Sequence, residues 1–171
     1  MSGNLTMSGN LAMSSNLAMT SEVITGDEII EQARTWLGTP WHHAARCKGV
    51  GVDCGGLIVG ALQEVGYPVR DMVNYDLGDN IDAMLQHIGS HADAVPEGEY
   101  LFAGDILVLR GKLMYNHCGF YTVTPDGDGG ILHAWRTPGK VVEHALDGIW
   151  EKWIVAVFRL HGTVPGRRVQ P

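Results

Sequence analysis

The stretch "GVGVDCGGLIVGAL" (residues 49–62) places a cysteine between an acidic residue and two glycines, directly before an apolar run. Apolar residues then recur at helical spacing as far as Val65, which predicts a buried helix that ends near Gly66. Cys54 opens this helix, where unpaired backbone N–H groups and the positive end of the helix dipole favour a thiolate. Two interpretations fit the cysteine alone: a nucleophile, or a small buried side chain that only packs. Asp53 is expected to cap the helix rather than to act in catalysis.

The sequence around this helix predicts further helices first and strands afterwards. Thr25 begins a T-G-D-E capping box, and the helix that follows is expected to end at Gly38. A weaker apolar pattern predicts a third helix over residues 81–88. This order indicates the α+β class, with N-terminal helices packed on a C-terminal antiparallel β-sheet. Strands are predicted at residues 105–110, 116–123, 131–135, 140–144 and 154–160.

The chain of 171 residues is long enough for one domain, which we predict over residues 25–161. Residues 1–24 form a repetitive arm in which MSGNLT, MSGNLA and MSSNLA follow one another. Its Ser, Gly and Asn content favours a flexible arm, although the even period would also suit a docking strand for a larger assembly. Residues 162–171 are expected to be a frayed C-terminal tail.

Composition excludes several classes of function. The net charge of −7 argues against binding to nucleic acid, and the apolar stretches are shorter than the ~20 residues that a membrane-spanning helix needs. No basic residue precedes Arg34, so no secretory signal is predicted, and the three cysteines suggest synthesis in a reducing cytoplasm. No metal or cofactor is predicted. A zinc site of Cys47, Cys54 and His42 or His43 is an alternative, but its spacing matches no common pattern.

A cysteine nucleophile requires a base, and among the eight histidines the candidates are His117 and His133, which lie on predicted strands. The strand alternation places Cys118 on the core face and His117 on the opposite face. His133 follows on the next strand. If the two strands are neighbours, His117 and His133 could form a cross-strand pair with Cβ atoms about 5 Å apart. One imidazole would then act as the base and the other would orient it.

Four motifs in residues 25–160 together resemble the signature of the NlpC-type cell-wall peptidases, a family of small papain-like cysteine peptidases. They read GTPW (38–41), DCGGL (53–57), HCGFY (117–121) and LHA (132–134), and AGDILVLR (103–110) is similar to the family's Gly-Asp strand. The resemblance implies a papain-like fold with Cys54 as nucleophile, His117 as base and His133 as orienting residue. It also implies hydrolysis of peptidoglycan stem peptides, typically after D-glutamate and often before diaminopimelate.

The resemblance also indicates residues that would contact the substrate or the oxyanion. Relatives usually carry Tyr where this chain has Trp41, whose indole N–H can donate a hydrogen bond but cannot accept one. His43 lies near Trp41 in the sequence and could take over that role, or could line the pocket wall. Gly55, commonly Ser in relatives, retains the backbone N–H that could bind an oxyanion.

The segments TPWHHAARCKGVGVDC (39–54) and EKWIVAVFRL (151–160) most resemble the branch of the family encoded with phage tails and gene-transfer agents. This implies synthesis in the host cytoplasm, incorporation into a particle beside tail-tip proteins, and local cutting of peptidoglycan. Two alternatives remain open. The same fold could transfer an acyl group from a thioester to an amine or a lipid, or the domain could be a structural tail-tip adaptor with an impaired site.

Overall fold

The computed structural model describes residues 23–72, 81–111 and 114–170. The N-terminal arm was predicted over residues 1–24, and residues 1–22 of it lie outside this range. Four helices and eight strands occur in the described residues. The helices are α1 (Gly26–Arg34), α2 (Cys54–Glu64), α3 (Ile81–Gly89) and α4 (Gly148–Glu151). The strands are β1 (Arg46–Cys47), β2 (Gly51–Val52), β3 (Ala92–Ala94), β4 (Ile106–Gly111), β5 (Met114–Val123), β6 (Gly129–Trp135), β7 (Lys140–Ala145) and β8 (Ile154–Leu160).

Six of the strands form one sheet in the order β3-β8-β4-β5-β6-β7, and all neighbouring strands are antiparallel. The predicted α+β class and the five predicted strands are therefore confirmed. The hairpin of β1 and β2, in the loop before α2, and the edge strand β3 were not predicted. These strands are two or three residues long, which is too short for an alternating pattern to identify them.

Helix α1 begins as its sequence predicts. The Thr25 side chain accepts from the Glu28 backbone N–H at 3.2 Å, and the Glu28 carboxylate accepts from the Thr25 N–H at 2.7 Å. The predicted end at Gly38 was too late, because α1 ends at Arg34. Beyond it the chain continues in tight turns, with the N–H groups of Trp36 and residues 35 and 37 bonded to carbonyls three residues earlier.

The main core lies between one face of the six-stranded sheet and helices α1 and α2. Its largest fully buried side chains come from both layers. They are Ile29, Ile30, Leu57, Leu62, Ile106, Phe120 and Leu132. The other face of the sheet carries a smaller apolar cluster, which includes Trp150 of α4 together with Ile131 and Leu109. α2 thus ends up against the centre of the sheet with its first turn near β5, which places Cys54 beside that strand.

The C-terminal segment is hydrogen-bonded to the domain, so the expectation of a frayed tail was wrong. The Gly26 N–H donates to the Val164 carbonyl at 2.8 Å, and the Ala103 N–H donates to the Arg167 carbonyl at 2.7 Å. Arg167 also pairs with Asp27 at 3.0 Å. The first bond satisfies a backbone N–H at the start of α1, and the second satisfies one in the segment before β4, groups that a free tail would leave to water. No helix among the described residues is long and apolar enough to span a bilayer.

Candidate active site

Asp53 fixes the start of the helix that carries Cys54. Its backbone is extended, and its Oδ1 accepts from the Gly56 N–H at 2.8 Å, which confirms the expected capping role. Cys54 is the first residue of α2, and its half-buried side chain packs against the main core. The sulfur therefore lies at the turn whose N–H groups have no partner within the helix.

The same carboxylate closes the loop before α2. Its Oδ2 accepts from the Ala44 N–H at 2.7 Å, while its Oδ1 also binds Arg46 Nη1 at 3.0 Å. Ala44 has a φ of 55°, a left-handed conformation that is uncommon for a residue with a Cβ atom. Because the Asp53 side chain is only 3% exposed, these bonds form away from water. Asp53 thus joins the loop to the helix that carries Cys54.

Replacing Asp53 by alanine is expected to destabilise the fold by about 2 to 4 kcal/mol, since it removes a helix cap and leaves Arg46 without its buried partner. Urea unfolding of the purified variant would measure this change. Asp71 supplies a matched control, because it binds the same Arg46 at 3.1 Å from a more exposed position. The Asp71→Ala variant should lose less than about 1 kcal/mol. Equal losses in the two variants would contradict the structural role given to Asp53.

His117 and His133 meet across the β5–β6 ladder, although they are not directly opposite. The ladder pairs Phe120 with Leu132, so Gly119 faces His133. A Cβ atom at Gly119 would lie 2.9 Å from the Cβ atom of His133. The predicted direct pair with Cβ atoms about 5 Å apart was therefore wrong by two residues along β5. The diagonal arrangement still works because Gly119 leaves room for the two rings to approach each other.

The two imidazoles are hydrogen-bonded and shielded from water. His117 Nε2 lies 2.7 Å from His133 Nδ1, and the rings are nearly perpendicular, with centroids 4.9 Å apart. His133 is fully buried and His117 almost so. Burial lowers the pKa of His133 to about 2, with smaller contributions from the charges of His117 and His144. His133 is thus neutral at physiological pH, which suits an orienting residue rather than a proton carrier.

Cys54 is held in a setting that favours its ionised form. The pKa of Cys54 lies well below its ordinary value, chiefly because the Cys118 thiol donates a hydrogen bond to its sulfur. Burial opposes this effect, whereas a hydrogen bond from His117 and the positive charge of His117 add to it. Conversely, the bond to Cys54, together with burial, raises the pKa of Cys118 well above its usual value. Cys118 remains a thiol and acts as the donor.

Cys118 is a buried core residue, as its place in the strand predicts. Its contact with the Cys54 sulfur could not be read from the sequence. Strand alternation indicates which face a side chain occupies, but it does not tell which turn of a helix crosses that face. The thiol pair is therefore a feature of the site that only the packing of α2 on β5 reveals.

Replacing Cys118 by valine is expected to raise the pKa of Cys54, because the variant lacks the S–H donor that is the largest cause of the lowered value. The pH dependence of alkylation at Cys54 would show the shift as a profile displaced to higher pH. Cys118→Ser is the matched variant, since its hydroxyl can still donate, and it should shift the profile less while costing stability in the core. An unchanged profile in Cys118→Val would contradict this contribution.

The three residues predicted to contact substrate or oxyanion lie around the start of α2. Trp41 is half-buried and forms a backbone bridge with Val52, and the Arg136 guanidinium stands 5.6 Å from its ring centroid. His43 is exposed, and its Nδ1 lies 3.7 Å from the Asp53 carboxylate. It therefore belongs to the loop before α2 that Asp53 holds in place. Gly55 follows Cys54 within the first turn of α2. Their roles toward a substrate stay predictions.

A cavity lies beside the first two turns of α2, between that helix, α3 and the sheet. Its walls are almost entirely apolar, with Arg46 and Asp71 at its polar end. Gly55, which follows Cys54, and Cys118 also line it. The remaining wall is mostly apolar, with Ile58, Leu62, Val69, Met84, Ile88 and Leu160, and it also includes the side chains of His87 and His91. Over residues 23–72, 81–111 and 114–170, no cluster of three or more His, Cys, Asp or Glu side chains could hold a metal ion.

Solved structures share this arrangement of helices and sheet. An "NLP/P60 family" protein described as similar to lipoprotein, from Staphylococcus aureus, superposes with a TM-score of 0.56 at 16% identity, over 79% of this chain and 41% of its own. The NlpC/p60 domain of the peptidoglycan hydrolase SagA superposes with a TM-score of 0.54 at 20% identity, over 80% of this chain and 100% of its own. The peptidoglycan hydrolase RipB from Mycobacterium tuberculosis superposes with a TM-score of 0.53 at 22% identity, over 78% of this chain and 63% of its own.

These likenesses confirm the papain-like fold, and at such identities they establish the fold alone. The chain spans about two fifths of the Staphylococcus aureus protein. A comparison with curated protein sequences gives no match. The model of the NlpC/P60 family matches residues 38–159, which include Trp41, Cys54, His117 and His133. On the strength of that match, the chain belongs to the NlpC/P60 family of cysteine peptidases.

Proposed function

We propose that this protein hydrolyses peptide bonds in peptidoglycan stem peptides, with Cys54 as nucleophile, His117 as general base and His133 as the residue that orients His117. One observation carries the proposal: Cys54 stands at a helix N-terminus with its pKa lowered in part by His117, and His117 Nε2 lies 2.7 Å from Nδ1 of the buried, neutral His133. A cysteine that only packs has no need of this arrangement.

The reaction runs through a thioacyl-enzyme. Cys54 transfers its proton to His117, and the thiolate adds to the carbonyl carbon of the scissile bond. When the tetrahedral intermediate collapses, the C–N bond breaks and His117 returns the proton to the departing amine. His117 then takes a proton from water, whose oxygen attacks the thioester. Cleavage of the C–S bond releases the carboxylate product and restores the cysteine.

The backbone at the start of α2 supplies candidate donors for the oxyanion. The first N–H used by the helix's own ladder is that of Leu57, which donates to the Asp53 carbonyl at 2.9 Å. The N–H groups of Cys54 and Gly55 precede it and carry the positive end of the helix dipole. The absence of a side chain at Gly55 allows a substrate backbone to approach.

The substrate class is proposed from the family and from two relatives that are described as peptidoglycan hydrolases. Within the stem peptide we propose the bond between D-glutamate and the diamino acid. We further propose that the protein works in a phage tail or gene-transfer particle, next to tail-tip proteins, after synthesis in the host cytoplasm. That last proposal is supported by the resemblance of residues 39–54 and 151–160 to that branch of the family.

The apolar cavity beside Gly55 and Cys118 favours one second candidate, an acyltransferase that passes a thioester-bound acyl group to an amine or a lipid. An apolar wall suits a hydrocarbon chain better than it suits a charged stem peptide. The two candidates share every step up to the thioacyl-enzyme. They differ in the acceptor, which is water for the peptidase.

Purified muropeptides incubated with the wild type and with Cys54→Ala, then analysed by mass spectrometry, test the proposal. The wild type should release fragments that end in D-glutamate and have gained one water, and the variant should release none. Products that carry an amine or lipid in place of water would support the acyltransferase. Intact muropeptides under wild-type conditions, together with normal particle assembly by Cys54→Ala, would support an adaptor with an impaired site.

A further inference from the structure

A third histidine extends the pair formed by His117 and His133. His144 lies on β7, where its Nε2 is 3.0 Å from Nε2 of His133. Its other ring nitrogen, Nδ1, is 2.8 Å from the backbone carbonyl oxygen of Ala145. Together with the 2.7 Å bond between His117 and His133, these contacts form one continuous chain from a carbonyl oxygen to the candidate base.

The carbonyl at one end fixes the direction of every hydrogen bond in the chain. A carbonyl oxygen only accepts, so Nδ1 of neutral His144 carries the proton and its Nε2 is an acceptor. His133 must then donate from Nε2, which leaves its Nδ1 as an acceptor for the Nε2–H of His117. The one nitrogen of His117 that keeps a lone pair is Nδ1. That nitrogen is the one left for Cys54, whose pKa is lowered in part by His117.

We propose that His144 is a positioning residue for this reaction, which sets the tautomers of His133 and His117 so that Nδ1 of His117 is free to take the Cys54 proton. The proposal rests on the proposed function and adds a fourth residue to it. The opposite direction of bonding would place a proton on His117 Nδ1, and the base would then have no lone pair toward the sulfur.

The surroundings of His133 leave it few other partners. Its ring is fully buried, stacks on Trp135 at 5.7 Å between centroids, and meets the edge of Trp150 at 4.9 Å. The ring of Trp150 also contacts that of His144, with the two centroids 4.8 Å apart. A buried N–H without an acceptor is costly, so His133 gains by donating to His144. The lowered pKa of His133, caused chiefly by burial, keeps that ring neutral.

Nitrogen-15 NMR of the full-length protein labelled at histidine tests the tautomers without a substrate. His133 should carry its proton on Nε2 and His144 on Nδ1. In His144→Leu, which removes the acceptor, a substantial fraction of His133 should change to the Nδ1–H form. In His144→Gln, whose side-chain oxygen can accept, the Nε2–H form should persist. A wild-type His133 protonated on Nδ1 would overturn the proposal.

Kinetics on a muropeptide substrate supply the second readout. His144→Leu should lower kcat by about 10- to 100-fold with little change in KM, because the wrong tautomer removes the base and not the binding site. His144→Gln should recover most of the rate, and His161→Leu, at an exposed histidine elsewhere, should leave it unchanged. An unaltered kcat in His144→Leu would overturn the proposal. If the wild type cut no muropeptide while the tautomers behaved as expected, His144 would still set the tautomers of His133 and His117, and the proposed function would be wrong.

Discussion

Replacing Cys54 by alanine is expected to lower muropeptide hydrolysis by at least about 10⁴-fold, because no other group can form the thioacyl-enzyme. The fold should survive, since alanine is the best helix former and Asp53, which caps α2, is untouched. Initial rates by liquid chromatography, with circular dichroism of the same samples, would separate activity from folding.

Cys47→Ala is the matched control for this variant. Cys47 lies on β1, its side chain is exposed, and it should be dispensable. Loss of activity in Cys47→Ala would show that the chemistry depends on a different thiol. Residual hydrolysis in Cys54→Ala at near wild-type rate would contradict the mechanism outright.

Replacing His117 by alanine is expected to lower the rate by about 10²- to 10⁴-fold, the usual contribution of a general base. It should also raise the pKa of Cys54, because the hydrogen bond from His117 and the charge of that ring are two of the causes that lower it. The activity of the variant should therefore recover partly at higher pH, where more of the thiol ionises without help. Rates measured across pH, beside alkylation rates of Cys54, would show both effects.

His161→Ala is the control for a surface histidine, since its ring pairs with the exposed Asp93 at 3.1 Å. It should match the wild type in rate and in pH profile. If His117→Ala kept both the wild-type rate and the wild-type alkylation profile, His117 would have no part in activating the sulfur.

The long elements of the fold could be predicted because each has a strong local signal. The capping box at Thr25 and the apolar period after Cys54 are properties of a few neighbouring residues. The five main strands likewise alternate clearly between turn-forming segments. Cys54, His117 and His133 could be singled out because thiol and imidazole chemistry needs those residue types, and the resemblance to a family supplied their order.

The features that the sequence did not predict depend on contacts between segments far apart in the chain. The bonds of residues 164–167 to Gly26 and Ala103 tie a segment without periodicity to the start of α1. The approach of Cys118 to Cys54 is set by where α2 crosses β5. The strand that carries His144 was predicted correctly, but its contact with His133 was not. That contact depends on the register between β7 and β6, which the residue pattern of one strand does not contain.

The register of β5 and β6 shows how close such a prediction can come. The sequence indicates that His117 and His133 share a face, and they do. It could not tell that Gly119, rather than His117, stands opposite His133. Because side chains repeat every two residues along a strand, the diagonal neighbour remains on the same face and within reach of a ring.

The rate of iodoacetamide alkylation at each cysteine, mapped by peptide mass spectrometry at about pH 6, tests most directly whether Cys54 is a poised thiolate. Cys54 is half-buried and Cys47 is exposed, so accessibility alone favours Cys47. If His117 and Cys118 hold Cys54 ionised, Cys54 should react many times faster than Cys47, and Cys118 should hardly react. Faster labelling of Cys47 than of Cys54 would contradict the account.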